Sequence, residues 1–184
     1  MSTLSQSLRT MAFEGVAEDR RLLFGVGAVA FALATAAGAQ VAVPLPWTPV
    51  PVTLQPLFVI LAGVVLGPRL GAISIAAYVT MGALGAPVFS NGAAGLAWLL
   101  GPTGGYLLGF AAAAYLVGVI SERGRGRVVI DVLAMIAGTL IIYAFGVSWL
   151  KVVTGMSVSK AVAVGMLPFL IGDALKIAAA IPIV

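Results

Sequence analysis

The sequence predicts an all-α integral membrane protein whose transmembrane helices form one compact bundle. Of its 184 residues, 61% are hydrophobic and 9% are charged, whereas soluble domains carry about 25% charged residues. Apolar segments recur along the chain with short loops between them, and one span needs about 20 residues. The chain therefore accommodates about six transmembrane helices and leaves no room for a soluble catalytic domain.

The composition excludes several kinds of chemistry. The chain has no Cys and no His, which removes disulfides, thiolate chemistry, imidazole bases and the usual zinc ligands. No nucleophile–base pair or metal-ligand cluster is evident, so we expect no enzyme, no metal and no cofactor. The net charge of +4 lies mostly in short loops, as the positive-inside rule expects, and does not indicate nucleic acid.

The predicted organisation is a polar N-terminal tail followed by a single membrane domain. Residues 1–21 have mixed charge and no evident signal peptide, and we interpret them as a cytoplasmic tail. Residues 22–184 form the membrane domain. We expect its helices over 22–40, 54–66, 70–86, from 101–106 to about 120, 128–149 and 168–184, with a short interfacial helix over 157–165 that is N-capped by Ser157.

Local patterns add three expectations. Four prolines within residues 44–51 forbid a helix, so this uncharged segment should be extended and partly buried. Asp131 follows Arg127 by four residues at the start of a helix, which predicts an ion pair at the membrane boundary. The first helix carries small residues at four-residue spacing, which allow close approach of another helix: Ala28, Ala32 and Ala36. Taken alone, this stripe favours packing inside the bundle.

The distribution of basic residues predicts the orientation in the membrane. Lys151 and Lys160 fall on one side, and the other side carries Arg9, Arg20, Arg21, Arg69, Arg123, Arg125 and Arg127. The richer side is expected to be cytoplasmic, and an even number of spans places both termini there. The uncharged loops over 44–53 and 87–104 then face outward.

Asp173 and Lys176 are the only charges well inside an apolar segment. An ionised side chain at the bilayer centre costs about 2.5–3.5 kcal/mol, so such residues are candidates for function. Their spacing puts both on one helix face, within reach of each other. The alternative is a self-neutralising pair that only holds helices together.

Other polar residues can join this pair at the outward end. They are Thr53, Gln55, Asn91, Thr103, Tyr106 and Tyr143, of which Tyr143 favours packing. This inventory suits binding of a small ligand with an amide-like head and an aliphatic part. A proton-coupled carrier or channel with Asp173 as the titrating group remains an alternative, since the chain has no nucleotide-binding motif of its own.

Four blocks resemble one known family. They are residues 44–55 (PLPWTPVPVTLQ), 66–72 (LGPRLGA), 100–110 (LGPTGGYLLGF) and 172–176 (GDALK). In order and spacing they are similar to BioY, the biotin-specific substrate-binding S component of energy-coupling factor (ECF) transporters. The resemblance extends from about Leu22 to the C-terminus.

The resemblance implies a bundle of six helices like that of other ECF S components, located in the plasma membrane of a prokaryote. It also implies biotin as the transported ligand, bound near the outer face. By analogy, Asp173 takes the ureido N–H groups, and Asn91 and Lys176 meet the ureido or carboxylate oxygens. The remaining family positions that line the pocket are Thr53, Gln55, Gly105 and Tyr106.

The resemblance also implies partners. S components dock on a transmembrane coupling subunit through a stripe of small residues, and two ABC-type ATPases act through that subunit. On this basis Ala28, Ala32 and Ala36 become the expected docking stripe rather than an internal contact. The sequence departs from the family's pattern at Pro56, where a residue other than proline is more frequent.

Overall fold

The computed structural model describes residues 3–124 and 126–184, with side chains from Leu22 onward, and it is a bundle of helices. Helix α1 (Thr3–Gln40) is longer than expected. The helix begins within the predicted N-terminal tail and continues without a break into the first apolar segment. The described residues contain five helical segments that are long and apolar enough to cross a membrane: Leu22–Gln40, Gln55–Ala83, Gly104–Gly124, Val128–Thr154 and Val158–Ile183.

The second of these segments is a helical hairpin. Helix α2 (Gln55–Ala83) is interrupted at Gly67, whose backbone has φ 78° and ψ 179°. Only glycine adopts this conformation without strain. Beyond the turn the chain folds back, so that a Cβ added to Gly71 would lie 2.8 Å from the carbonyl oxygen of Ala62. The two arms, 55–66 and 68–83, correspond to the second and third predicted helices, so the five candidate spans of the described residues account for the six predicted helices.

The proline-rich segment is extended, as predicted. Strands β1 (Ala42–Val43) and β2 (Val52–Thr53) pair in antiparallel register and enclose it. The loop after α2 contains a 3₁₀ turn, Ser90–Gly92, and the short helix α3 (Leu96–Leu99). Both connections lie at the same end of the bundle, because Gln55 and Ala83 are the two ends of one hairpin.

Helices α4 (Gly104–Gly124) and α5 (Val128–Thr154) complete the centre of the bundle. At the boundary between α4 and α5, the structure corrects the predicted ion pair of Asp131 with Arg127. Asp131 is 3% exposed and accepts a hydrogen bond from the Ser121 hydroxyl. Within the described residues it forms no ion pair with Arg127, because the Asp131 side chain points inward toward α4, while Arg127 is exposed.

The C-terminal part is a broken helix. Helix α6 (Val158–Gly165) is followed by the 3₁₀ turn Leu167–Phe169 and then by α7 (Leu170–Ala180). The predicted N-cap is confirmed, since the Ser157 side chain accepts a hydrogen bond from the backbone N–H of Lys160 at 3.3 Å. A final 3₁₀ turn, Ile181–Ile183, ends the chain. The break positions the charged face of α7 against the centre of the bundle.

The alanine stripe of α1 faces the chain's own bundle. Ala32 and Ala36 are buried, and the Ala28 carbonyl accepts a hydrogen bond from the Ser74 hydroxyl of α2 at 2.5 Å. The expectation that Ala28, Ala32 and Ala36 dock a partner stays a prediction, and of the three only Ala28 is half-buried and not buried in this structure. The outward side of α1 shows Ala30, with Ala34 half-buried four residues later.

Candidate functional site

One pocket lies at the end of the bundle where the proline-rich segment, the loop after α2 and the start of α7 meet. It contains about 560 Å³ of empty volume, part of which opens to solvent. The lining is mainly aromatic and aliphatic, with a small number of polar groups, which is the usual composition of a site for a small organic ligand. Its residues are Val50, Pro51, Thr53, Gln55, Pro56, Ser90, Trp98, Thr103, Tyr106, Leu107, Phe110, Ile142, Tyr143, Phe169, Asp173 and Lys176.

The charged group of the pocket is an ion pair on α7. Lys176 Nζ donates to Asp173 Oδ1 at 2.6 Å, and the Tyr143 hydroxyl of α5 donates to Asp173 Oδ2. Asp173 is 7% exposed and Lys176 is 8% exposed. Additional hydrogen bonds help to offset the cost of burying an ion pair, and Tyr143 supplies one of them to the carboxylate.

The pair leaves hydrogen-bonding capacity for a ligand. An ionised carboxylate has about four lone-pair sites and a lysine ammonium has three N–H donors. Asp173 uses one site on each oxygen, and Lys176 uses one N–H on Asp173. The pair thus presents an acceptor and a donor side by side in an apolar pocket, and its two charges cancel.

A second polar group stands on the wall formed by the start of α2. The Thr53 hydroxyl donates to Gln55 Oε1 at 3.0 Å, and Gln55 Nε2 donates to the Tyr78 hydroxyl at 2.5 Å. Tyr78 in turn donates to the carbonyl of Val88 at 3.0 Å. These bonds fix the orientation of the Gln55 amide, so that its oxygen and nitrogen occupy defined positions at the pocket.

Tyr106 contributes its ring to the pocket and its hydroxyl to the scaffold. The hydroxyl donates to the Gly165 carbonyl at the end of α6, at 2.6 Å. The ring packs against Gly146, where an added Cβ would lie 2.2 Å from Tyr106 Cδ1. Tyr106 therefore holds α6 close to α4 and α5, directly before the turn that leads to the charged face of α7.

Two predicted site residues are not among those that line the pocket. Asn91 is exposed in the turn that follows Ser90, with φ 59° and ψ 31°. Gly105 is buried between α4 and α5, where an added Cβ would lie 2.2 Å from Trp149 Cβ. The other predicted residues, Thr53, Gln55, Tyr106, Asp173 and Lys176, all line the pocket.

Sequence reasoning did not select several residues that form the site. The sequence favours a packing role for Tyr143, whereas its hydroxyl donates a hydrogen bond to Asp173. Tyr78 gave no signal, because a tyrosine in an apolar helix is ordinarily a packing residue. Phe110, Ile142 and Phe169 line the pocket and belong to helices whose apolar residues are too numerous to single any of them out.

The groups of this site are suited to binding a small ligand. Within the described residues, no group of three or more His, Cys, Asp or Glu side chains is placed to hold a metal ion. Polar groups of the pocket form two hydrogen-bonded pairs, Thr53 with Gln55 and Lys176 with Asp173. Such pairs can bind the donors and acceptors of a ligand. The fold and this pocket define a multi-pass membrane protein with a candidate ligand pocket at one end of its bundle.

The chain belongs to the BioY family, whose match covers residues 15–184. It is 46% identical over 151 residues to a probable biotin transporter BioY from Pyrococcus horikoshii, covering 82% of this chain and 87% of that protein. It is 40% identical over 153 residues to a biotin transporter BioY from Rhizobium etli, covering 79% and 81%. The family is one of transporters and not of enzymes.

The fold is similar to that of a solved membrane protein. The crystal structure of the S-component for biotin from an ECF-type ABC transporter superposes with a TM-score of 0.85 over 90% of each chain. The two sequences are 23% identical, so this similarity concerns the fold.

Proposed function

We propose that this chain is the biotin-binding membrane subunit of an uptake system, and that it binds biotin with high affinity at the outer face of the cell membrane of a prokaryote. The observation that carries the proposal is the buried pair of Asp173 and Lys176 at an otherwise mostly apolar pocket. The names of the family's relatives, biotin transporters in several organisms, support the same ligand.

The chemistry of the pair fits the head of biotin. The ureido ring of biotin carries N–H donors beside a carbonyl acceptor. Asp173 offers the acceptor that the N–H groups need, and Lys176 offers the donor that the carbonyl needs. Because both groups are buried, each hydrogen bond to them forms away from competing water and gains strength.

The remainder of the pocket fits the apolar part of biotin. Trp98, Phe110 and Phe169 supply aromatic surface against which a sulphur-containing ring and an aliphatic chain can pack. Thr53 and Gln55 stand on the wall near the proline-rich segment and can meet polar atoms of the ligand. Asn91 follows the lining residue Ser90 and remains a predicted contact.

The orientation follows from the charges of the loops. Arg69 and Arg123 lie at the end of the bundle opposite the pocket, near the Gly67 turn and the end of α4. The positive-inside rule supports a cytoplasmic location for this end, and we propose that both termini lie inside and the pocket outside. A pocket at the outer face suits capture of a scarce external solute.

Energy for delivery must come from other subunits. We propose that an ECF transmembrane coupling subunit and two ABC-type ATPases act with this chain, and the structural similarity to an S-component from an ECF-type ABC transporter supports this proposal. The outward side of α1 is a candidate for docking because it combines exposed apolar residues with the small residue Ala30. Small residues let two helices approach closely in a membrane.

The direct test is a titration of the purified, detergent-solubilised chain with biotin, followed by calorimetry. We expect one biotin to bind each chain without any partner subunit. Absence of binding by folded protein stripped of endogenous ligand would reopen the identity of the ligand. In cells, uptake should stop when the partner ATPases are deleted, whereas a proton-coupled carrier would continue and would stop with an uncoupler.

A further inference from the structure

A second concave surface lies at the opposite end of the bundle from the pocket. This groove is formed by the start of the membrane part of α1, the Gly67 turn of α2 and the last turns of α4. It has about 1360 Å³ of empty volume, including space open to its surroundings. Apolar side chains line it beside a rim that carries three charged side chains, Arg69, Glu122 and Arg123.

The three charged side chains of the rim lie at the surface of the described residues. All three are exposed, and among residues 22–124 and 126–184 they take part in no ion pair. The carboxylate of Glu122 lies at the turn, since a Cβ added to Gly67 would be 2.6 Å from its Oε1. Arg69 lies two residues beyond that turn, and Arg123 follows Glu122 directly.

The groove becomes apolar with depth along α4. Tyr115 and Val119 line it below Glu122. Tyr115 precedes Glu122 by seven residues, which corresponds to about 10 Å along a helix axis. Val65 and Leu66 line the facing wall on α2. A charged rim with an apolar groove beneath it matches the order of a phospholipid, whose headgroup lies at the interface and whose chain lies deeper.

We propose that this groove binds a phospholipid with a phosphoethanolamine headgroup. The phosphate is held by Arg69 and Arg123, whose guanidinium groups match phosphate oxygens. The ammonium of the headgroup is held by Glu122. One acyl chain lies along Tyr115, Val119 and Leu66.

The charges of the rim favour this headgroup over other lipids. Both arginines can bind the one phosphate, and Glu122 remains for the one ammonium, so every charged group of the rim has a partner on this headgroup. Phosphatidylcholine carries the same charges, but its quaternary ammonium has no N–H to donate to Glu122. Phosphatidylglycerol lacks the cation, so it would leave the Glu122 carboxylate beside its phosphate without a partner.

The test compares the binding of phosphatidylethanolamine, phosphatidylcholine and phosphatidylglycerol, all with palmitoyl and oleoyl chains. Binding to the purified full-length chain is measured by native mass spectrometry. We expect phosphatidylethanolamine to bind about fivefold more tightly than phosphatidylcholine, the gain typical of one net hydrogen bond, here from its ammonium N–H to Glu122. Glu122→Gln should bring this ratio close to one. Arg69→Gln combined with Arg123→Gln should weaken both lipids to a similar extent.

Arg127→Gln is the matched control, since Arg127 is an exposed arginine at the same end and does not line the groove. It should leave the lipid ratio unchanged. Binding of biotin by each variant reports that the bundle is intact. Equal binding of the three lipids by the wild-type chain would overturn the proposal. So would a Glu122→Gln variant that still discriminates, or arginine variants that keep their lipids but no longer assemble with a coupling subunit.

Discussion

The Gln55 amide and the Tyr78 hydroxyl are hydrogen-bonded at 2.5 Å although they belong to opposite arms of the α2 hairpin. Twenty-three positions separate them in the chain, a distance of about 35 Å if the helix were straight. The bond therefore depends on the reversal at Gly67. This bond links the two arms of the hairpin at the pocket, because Gln55 lines the pocket. Tyr78 also donates a hydrogen bond to the Val88 carbonyl in the loop after α2.

Tyr78→Phe should loosen this part of the pocket. The change leaves Gln55 Nε2 and the Val88 carbonyl without their partner, and a buried polar group left unpaired costs about 1–3 kcal/mol. We expect a lower Tm in detergent and weaker binding of biotin. Tyr115→Phe is the control, because Tyr115 is half-exposed on α4, and its loss of a hydroxyl should change neither quantity. An unchanged Tm for Tyr78→Phe would contradict the structural role of this hydroxyl.

Asp173→Asn and Lys176→Met should each weaken biotin binding. A hydrogen bond to a charged group contributes about 1.5–3 kcal/mol, which corresponds to about tenfold or more in Kd. Each single change also leaves the other charge buried without its partner, which is strongly destabilising.

The double variant Asp173→Asn Lys176→Met separates recognition from stability. It removes both charges, so it should lose less stability than the two single variants suggest in sum. Its affinity for biotin should stay low, because neither the acceptor nor the donor remains. Wild-type affinity in the double variant would show that the pair only holds the helices together.

Gly105→Ala distinguishes a packing role from a ligand contact. The added methyl group would lie 2.2 Å from Trp149 Cβ and 2.6 Å from the Phe145 carbonyl oxygen. Such overpacking typically costs about 1–3 kcal/mol, so we expect a lower Tm with little change in the biotin affinity of the folded protein. Gly25→Ala should be tolerated, since its Cβ meets no atom within 4 Å.

Asn91→Gly tests the one predicted contact that lies on an exposed turn. Glycine adopts the left-handed backbone of Asn91 without strain, so the substitution removes the amide and keeps the turn. If Asn91 contacts biotin, the affinity should fall about threefold to tenfold, the range of one neutral hydrogen bond. An unchanged Kd in calorimetry would place Asn91 outside the site.

Ala30→Leu and Ala32→Leu compare the two sides of α1. Ala32 is 4% exposed against α2, and a larger side chain there should lower Tm by overpacking. Ala30 is exposed, so Ala30→Leu should leave both Tm and biotin binding unchanged. If the outward side docks the coupling subunit, Ala30→Leu should nevertheless reduce biotin uptake in cells. Normal biotin uptake by the Ala30→Leu variant would show that the coupling subunit docks on a different surface.

The number of helical arms was predictable because hydrophobicity and helix-breaking residues are local properties. The prolines of residues 44–51 and the Gly67-Pro68 turn mark boundaries that no packing arrangement can remove. The length of α1 was not predictable in the same way. Its polar first half carries no apolar run, so a hydropathy argument stops at Leu22, whereas the helix begins at Thr3.

The face that each helix presents could not be read from the chain. In an apolar bundle every side of a helix is hydrophobic, so periodicity does not separate the lipid-facing side from the internal side. The alanine stripe illustrates this. Ala28 and Ala32 share their spacing with Ala30 and Ala34, and only the position of α2 decides which set is covered. The same ambiguity led to the expected ion pair of Asp131, whose carboxylate instead turns inward to Ser121.

The sequence by itself determined that this is a helical membrane protein and that Asp173 and Lys176 are its distinctive residues, because a buried charge in an apolar segment is costly wherever it occurs. Tertiary structure decided what surrounds them. Tyr143 reaches Asp173 from another helix, and Tyr78 reaches Gln55 across a hairpin. Such contacts depend on how each helix is rotated about its axis and where the chain folds back. Both are determined by close packing of the whole bundle and not by local sequence.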